Sequence, residues 1–239
     1  MNSKFHFTYA NIEQQYQAAL DQGYTFCTCE EYVALKQSGL PQKLIVNRID
    51  IDFSAKKAER LGEIYNRLGI KGSFFVRLHA PEYNPFDFEN YRVIKGLIDA
   101  GHEIGYHSEI VDVATIWDES VEQCLIRDIN VLNQMFNIKI IGVASHGGLT
   151  GLNNLDFWHD KIASDYGLLY EGYDKQDSFN LFDTSFYVSD SEWTQWKCYD
   201  QGTLMAGDRR SFEEHLADKH SLIYLLIHSD TYFDKHFYE

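Results

Sequence analysis

The stretch Lys43-Leu-Ile-Val-Asn-Arg-Ile-Asp-Ile-Asp-Phe53 is a β-branched, apolar run that ends in two carboxylates. An apolar run of this kind predicts a buried strand of the type found in parallel sheets whose two faces are covered. Ser54 supplies an N-cap for a helix over residues 55–68, and Gly69 ends that helix. The stretch therefore predicts a strand followed by a helix.

The same unit recurs along the chain. Further strands are predicted at residues 72–78, 102–107, 139–144 and 222–227, with helices at 88–100 and 119–136. Upstream, residues 10–38 predict a helix, a short strand and a second helix, and Gly39 and Pro41 end this preamble. Strands that alternate with helices predict a parallel sheet, either open and doubly wound or closed into a (β/α) barrel.

Five polar residues favour the barrel. Each lies at or just beyond the C-terminal end of a predicted strand: Asp50, Asp52, His107, His146 and His228. Barrels of the (β/α) type place their chemistry at this end of the strands. We expect one α/β domain over residues 1–239, with the preamble, residues 1–42, packed on the barrel.

The composition excludes several classes of partner. The 21 basic and 36 acidic residues give a formal net charge of −15, which repels phosphate backbones and anionic membranes and argues against nucleic acid. The N-terminus has no apolar signal region and the chain has no 18-residue apolar run, so we expect a cytoplasmic protein without membrane insertion. The four cysteines are expected to be reduced thiols. No heptad run indicates an oligomeric state.

Asp50 and Asp52 share one face of the predicted strand, because side chains alternate with period 2. Two carboxylates so close repel each other unless a cation lies beside them or one is protonated. The alternative is a solvated strand end before a helix cap. The apolar run ahead of the pair favours a functional site.

Three histidines are further candidates. His107 ends a predicted strand, and His102, five residues earlier, faces the other way and is expected to be a structural hydrogen-bonding residue. His146 precedes two glycines, which also fits a tight turn, and His228 follows an apolar strand, which also fits an ordinary residue at the edge of the core. Imidazole and carboxylate groups are ligands of zinc and similar ions. Among the aromatic residues, Trp193 and Trp196 could line a sugar-binding cleft or lie in the core.

Five segments, in this order, resemble the polysaccharide deacetylase family (carbohydrate esterase family 4). They are Arg48-Ile-Asp-Ile-Asp52, Gly101-His-Glu-Ile-Gly-Tyr-His107, Ser145-His-Gly147, Ser189-Asp-Ser-Glu-Trp193 and Leu225-Leu-Ile-His228. The match spans residues 43–230 and looks most like the divergent aspartate-x-aspartate branch found among bacterial surface-polysaccharide genes. The Gly-His-Glu-Ile-Gly-x-His string is its most specific element.

The resemblance implies a distorted (β/α) barrel in which Asp50 is the general base and Asp52 and His107 bind a divalent metal, with zinc expected. The position of the family's second histidine ligand is Val111, which cannot bind a cation. We expect His146 to take this role, with Glu109 as the alternative.

In the late motifs, the resemblance implies that His228 is the general acid. Glu192 and Trp193 resemble the acid-aromatic pair that orients this histidine. The implied reaction is removal of an N-acetyl or similar acyl group from an amino sugar or polysaccharide.

Two rival functions remain open. Val111 makes a catalytically degenerate, carbohydrate-binding barrel credible. Asp-x-Asp after an apolar strand also occurs in phosphatases of the haloacid-dehalogenase type, which use an aspartate nucleophile and magnesium. The hydroxyl, lysine and second acidic motifs of those phosphatases are not evident downstream of Asp52.

Overall fold

The computed structural model describes residues 7–191 and 195–235, which form a mixed α/β fold around a central sheet. The strands are β1 (Thr25–Cys27), β2 (Leu44–Ile51), β3 (Ser73–Val76), β4 (Glu103–Ser108), β5 (Gly142–Ser145), β6 (Tyr170–Glu171), β7 (Phe186–Ser189), β8 (Lys197–Asp200), β9 (Thr203–Leu204) and β10 (Leu222–His228). The helices are α1 (Tyr9–Asp21), α2 (Cys29–Ser38), α3 (Ala55–Leu68), α4 (Phe88–Asp99), α5 (Ile110–Trp117), α6 (Val121–Phe136) and α7 (Phe212–His215). Short 3-10 helices cover Asn154–His159, Ala163–Tyr166, Leu216–Asp218 and Ser229–Thr231.

Strand β2, which lies in the opening stretch of the sequence, is at the centre of the sheet. The strand order is β6-β5-β4-β3-β2-β10-β7-β8-β9, and β1 also pairs with β2. All eight residues of β2 are buried, as the apolar run predicts for a strand covered on both faces. Its pairings with β1, β3 and β10 are parallel. Within the described residues, only the β7–β8 and β8–β9 pairings are antiparallel. The C-terminal ends of β2, β3, β4, β5, β7 and β10 therefore meet at one edge of the sheet.

The sheet is open in the described part of the chain, because β6 and β9 are its unpaired edges. The closure that the barrel prediction requires is not found there. The physical reason is that β6 is only two residues long, and a non-strand segment follows it in place of a ladder to β7. In this segment Gly172 accepts a hydrogen bond from the Tyr224 hydroxyl (3.1 Å), and the Tyr173 hydroxyl lies 3.3 Å from that of Tyr187.

One face of the sheet nevertheless has its own core. Residues from six strands pack there in a single cluster with Cys27 of β1: Leu44, Val46, Phe75, Ala144, Tyr170, Tyr187, Tyr224 and Leu226. The helices cover the opposite face with a larger cluster that includes Ile49, Phe74 and Ile223. On β2, Arg48 and Asp50 continue this first face, since they follow Leu44 and Val46 at intervals of two residues.

The preamble forms the predicted helix, strand and helix. The Tyr16 hydroxyl on α1 donates to Asn47 Oδ1 on β2 (2.7 Å) and lies 2.8 Å from the Tyr65 hydroxyl on α3. These buried contacts attach the preamble to the centre of the sheet. None of the described helices combines the length and the apolar character that crossing a membrane needs.

Candidate functional site

At the C-terminal end of β2, Arg48 and Asp50 form a buried ion pair. Arg48 Nε donates to Asp50 Oδ1 (2.9 Å) and Nη2 donates to Oδ2 (2.7 Å), and the two side chains are 1% and 2% exposed. Burial alone would raise the pKa of Asp50, but the charges of Arg48 and His107 outweigh burial and lower it. Asp50 is therefore an ionised carboxylate that its neighbour holds in one orientation. Sequence reasoning assigned no role to Arg48, although the period of 2 places it on the same face as Asp50.

His107, at the end of β4, faces both carboxylates of β2. Its Nδ1–H donates to the carbonyl oxygen of Ala144 on β5 (2.8 Å). Its Nε2 lies 3.2 Å from Asp52 Oδ1 and 3.4 Å from Asp50 Oδ2. A backbone acceptor on one ring nitrogen fixes the other nitrogen towards a site, which is how metal-binding histidines are commonly oriented.

His146, just after β5, completes a group of three potential metal ligands. Asp52, His107 and His146 each offer one ligand atom, and these atoms lie within 4.8 Å of one another. Asp52 Oδ1 and His146 Nδ1 are buried without a well-aligned hydrogen bond from the described residues. The one polar neighbour of Asp52 Oδ1 described above is His107 Nε2, which is poorly aligned with it, and a buried oxygen or nitrogen without a good hydrogen bond is costly unless something binds it. One carboxylate and two imidazoles are also a donor set that zinc accepts, so these residues fit a divalent ion.

Helix α5 holds the loop that follows His146. The buried Asp112 accepts hydrogen bonds from the backbone N–H of Leu149 (2.9 Å) and from Asn154 Nδ2 (2.7 Å). Asn154 Oδ1 in turn accepts the backbone N–H of Val111 (2.9 Å), whose side chain packs against the main core. At the position where the family resemblance places a histidine ligand, the helix therefore anchors the loop next to His146 instead.

Glu109 lies outside the group of three. Its Oε1 accepts from Arg77 Nη2 (2.6 Å) and Nε (3.1 Å), and its Oε2 accepts from the backbone N–H of His79 (3.2 Å). Arg77 Nη1 also donates to the backbone oxygen of Asp52 (2.9 Å). Glu109 and Arg77 thus form a buried pair that holds the backbone beside the site.

His228, at the end of β10, is paired with a buried carboxylate. Its Nδ1–H donates to Asp190 Oδ1 (2.7 Å), and its backbone N–H lies 3.0 and 3.1 Å from the two Asp190 oxygens. Burial would lower the pKa of His228, but Asp190, with smaller contributions from Asp52 and Asp50, raises it to about 9. Glu192 and Trp193, named from the sequence as the orienting pair, lie outside the described residues. Sequence reasoning missed Asp190, although it follows the end of β7 directly.

A cavity of about 240 Å³ lies beside the strand-end residues. Asp50, His107 and His228 lie on its wall, and further lining comes from Arg48, Tyr173, Phe182, Tyr187, Lys197 and Tyr199.

Trp196 is 2% exposed and packs near Phe7 (ring centroids 5.9 Å apart), which makes it a core residue. His102 is likewise structural, since its Nδ1 accepts the backbone N–H of Gly72 (3.3 Å) outside the cavity.

No protein-family model matches the sequence, and no curated protein matches it. Among solved structures, the chain is similar to the Streptococcus pyogenes deacetylase PplD in complex with acetate. The similarity has a TM-score of 0.48 with 17% sequence identity and covers 85% of this chain and 81% of the other.

Proposed function

We propose that this chain is a metal-dependent hydrolase that removes an acetyl or similar acyl group from the nitrogen of an amino sugar. The observation that carries the proposal is the meeting of two chemically different sets of groups at one strand edge. Asp52, His107 and His146 offer three ligand atoms for a cation, and Asp50 and His228 lie on the wall of the adjoining cavity. The family resemblance of the motifs that carry these residues supports the same reaction.

Asp52, His107 and His146 would hold the divalent ion, with zinc as the expected metal. When bound, the ion supplies Lewis acidity, which polarises an amide carbonyl and acidifies water. Asp50, kept ionised by Arg48, takes the proton from the attacking water. Because its pKa is lowered, Asp50 is too weak a base to deprotonate ordinary water. It suits a reaction in which a bound metal ion lowers the pKa of the attacking water.

His228 supplies the proton that the leaving nitrogen needs. An amine is too basic to leave unprotonated, so amide hydrolysis requires an acid on the leaving-group side. With its pKa raised to about 9, His228 is protonated at neutral pH. Asp190 holds the ring through Nδ1 and leaves Nε2 as the nitrogen that donates. Asp190 is thus a positioning residue for the acid.

The lining of the cavity and its neighbour support a sugar that is part of a larger molecule as the substrate. Tyr173, Phe182 and Tyr199 are only partly buried aromatic residues of the lining, and aromatic faces suit pyranose rings. A second cavity of about 540 Å³ adjoins the first, shares Tyr173 and Phe182 with it, and is lined by Trp158 among others. The adjoining cavity supplies room for a neighbouring sugar, so we propose N-acylated oligosaccharides or polysaccharides as the substrate class.

The proposal is tested by acetate release from N-acetylated amino-sugar oligomers. We expect turnover with zinc, loss of turnover after removal of metal by a chelator, and recovery when zinc is added back. The same protein is assayed in parallel for phosphate release from generic phosphate esters. Phosphate release without acetate release contradicts the proposal in favour of the phosphatase. Sugar binding with neither activity and no bound metal favours the carbohydrate-binding alternative.

The alkaline limb of the pH profile is expected to follow His228. The acid must be protonated to donate, so kcat/KM falls as pH rises through a pKa of about 9. In Asp190→Asn the carboxylate that raises this pKa is gone, so the limb moves to lower pH and activity at pH 8 falls more than activity at pH 6. The measurement is kcat/KM from pH 5 to 10 for both proteins. An unmoved alkaline limb in Asp190→Asn contradicts the role of His228 as the acid.

A further inference from the structure

A second group of potential ligands lies at the opposite end of the sheet. His215 ends α7, Asp218 ends the 3-10 helix after it, and His220 precedes β10 by two residues. Strand β10 runs from this group to His228 over seven residues, which corresponds to about 20 Å at about 3.3 Å per residue. The proposed hydrolytic site uses none of these three residues.

The ligand atoms of this group converge on one carboxylate oxygen. Asp218 Oδ2 lies 3.6 Å from His215 Nδ1 and 3.8 Å from His220 Nε2, and one ligand atom from each residue lies within 4.8 Å of the others. Ligand atoms about 2.0–2.1 Å from a tetrahedral zinc ion are about 3.3–3.5 Å apart. Both distances to Asp218 exceed that spacing by a few tenths of an ångström, and the His215 and His220 ligand atoms lie within 4.8 Å of each other.

His215 is the buried group that lacks a partner. Its side chain is fully buried, and neither ring nitrogen has a hydrogen-bond partner among the described residues. His220 Nε2 is also buried without such a partner, although the side chain is 25% exposed. A buried imidazole with two unsatisfied nitrogens is costly in a core unless it binds something.

The surroundings have the form expected around a metal site. Histidine ligands commonly direct their second nitrogen to a carboxylate, and ligating carboxylates are themselves hydrogen-bonded. His215 Nε2 faces Asp208 Oδ1 at 3.8 Å, and Arg210 lies 2.9 Å from Asp218 Oδ2 while it also binds Asp208. The Phe186 ring stacks on His220 at 3.9 Å and fixes its plane.

We propose that His215, Asp218 and His220 bind a divalent ion of the zinc type, with Asp208 and Arg210 as outer partners that orient the ligands. Asp218 is 38% exposed, so the ion reaches the site from solvent and a water molecule fills the remaining coordination position. The ion links the segment after α7 to the start of β10. Because the ion would cross-link two segments of the chain and contact no residue of the proposed hydrolytic site, its role is structural.

The test is a measurement of the number of zinc ions that the protein binds. Metal-free full-length protein is titrated with Zn²⁺ against a competing chelator, and the number of bound equivalents is compared between the unmodified protein and His220→Ala. We expect His220→Ala to bind one equivalent fewer at micromolar free zinc. Zinc is also expected to raise the unfolding temperature of the unmodified protein by more than that of His220→Ala. His159→Ala removes a histidine that is 72% exposed and is the matched control, with no loss of an equivalent.

The predicted difference of one equivalent does not depend on the strand-end site. If that site binds no metal, the count falls from one to zero instead of from two to one. Asp218→Asn is the second variant in case His220→Ala does not fold, and it is expected to lose the same equivalent. Asp208→Asn is expected to weaken this site about 10- to 100-fold, as loss of an outer partner does. Equal counts in the unmodified protein and in the folded ligand variants overturn the proposal.

Discussion

Asp50→Asn is expected to lower the rate of deacylation about 10²- to 10⁴-fold, which is the usual contribution of a general base, while zinc affinity changes less than about 10-fold. The side-chain amide of Asn has nearly the same shape as the carboxylate of Asp but cannot act as a base between pH 5 and 10. Asp50 is not among the three residues whose ligand atoms converge, so the variant keeps the proposed ligand set. The measurements are kcat/KM for acetate release and zinc affinity from competition with a chelator.

Folding of Asp50→Asn has to be measured separately, because Arg48 loses its charged partner. Removing one partner of a buried ion pair costs about 3–5 kcal/mol, and Asn reduces this cost because it still accepts one hydrogen bond. The matched control is Glu103→Gln, which changes a buried acid at the opposite end of β4 that accepts hydrogen bonds from Tyr170 and Ser73. Glu103→Gln is expected to keep full activity. Equal loss of zinc and of activity in folded Asp50→Asn contradicts a separate role for Asp50 as the base.

The local parts of the fold follow from the sequence because their causes are local. The apolar run before Asp50 dictates a buried strand, Ser54 accepts the backbone N–H of Lys57 at the start of α3, and Gly69 ends that helix with φ of +68°. The strand-end positions of Asp52, His107 and His146 follow from the same periodicity. Parallel pairing of β2 with β3, of β3 with β4 and of β4 with β5 then brings the three residues to one edge.

The open edge of the sheet does not follow from any local pattern. Whether β6 pairs with a later strand depends on the packing of the segment after Gly172, whose contacts join residues far apart in sequence. The contact between Asp190 and His228 has the same origin, because it requires the register that places Ser189 beside Leu226. The pairing of Arg48 with Asp50 differs, since two residues that are two apart on one strand share a face. The Arg48–Asp50 pair could therefore have been predicted from the sequence.

His146→Ala is expected to weaken zinc binding at the strand end by at least about 100-fold, since it removes one of three protein ligands, and loss of even an outer partner costs about 10- to 100-fold. Glu109→Ala is expected to leave that affinity within about 10-fold. Both oxygens of Glu109 are already bound, one to Arg77 and the other to the backbone of His79. His146→Ala should therefore lose activity together with metal, and the activity should return in part at high zinc.

The effect of Glu109→Ala should fall on stability instead. Arg77 and Glu109 are each 2% exposed, so the variant removes the close carboxylate partner of a buried guanidinium. The cost is at most about 3–5 kcal/mol, because Glu82 still lies 3.7 Å from Arg77. Zinc affinity and chemical unfolding are measured for both variants in a His220→Ala background, so that zinc at the other end of the sheet does not enter the count. If Glu109→Ala prevents folding, Glu109→Gln is measured in its place, because Gln keeps one acceptor oxygen for Arg77. A larger loss of zinc affinity in the folded Glu109 variant than in His146→Ala would make Glu109 the third ligand and His146 a residue of the loop turn.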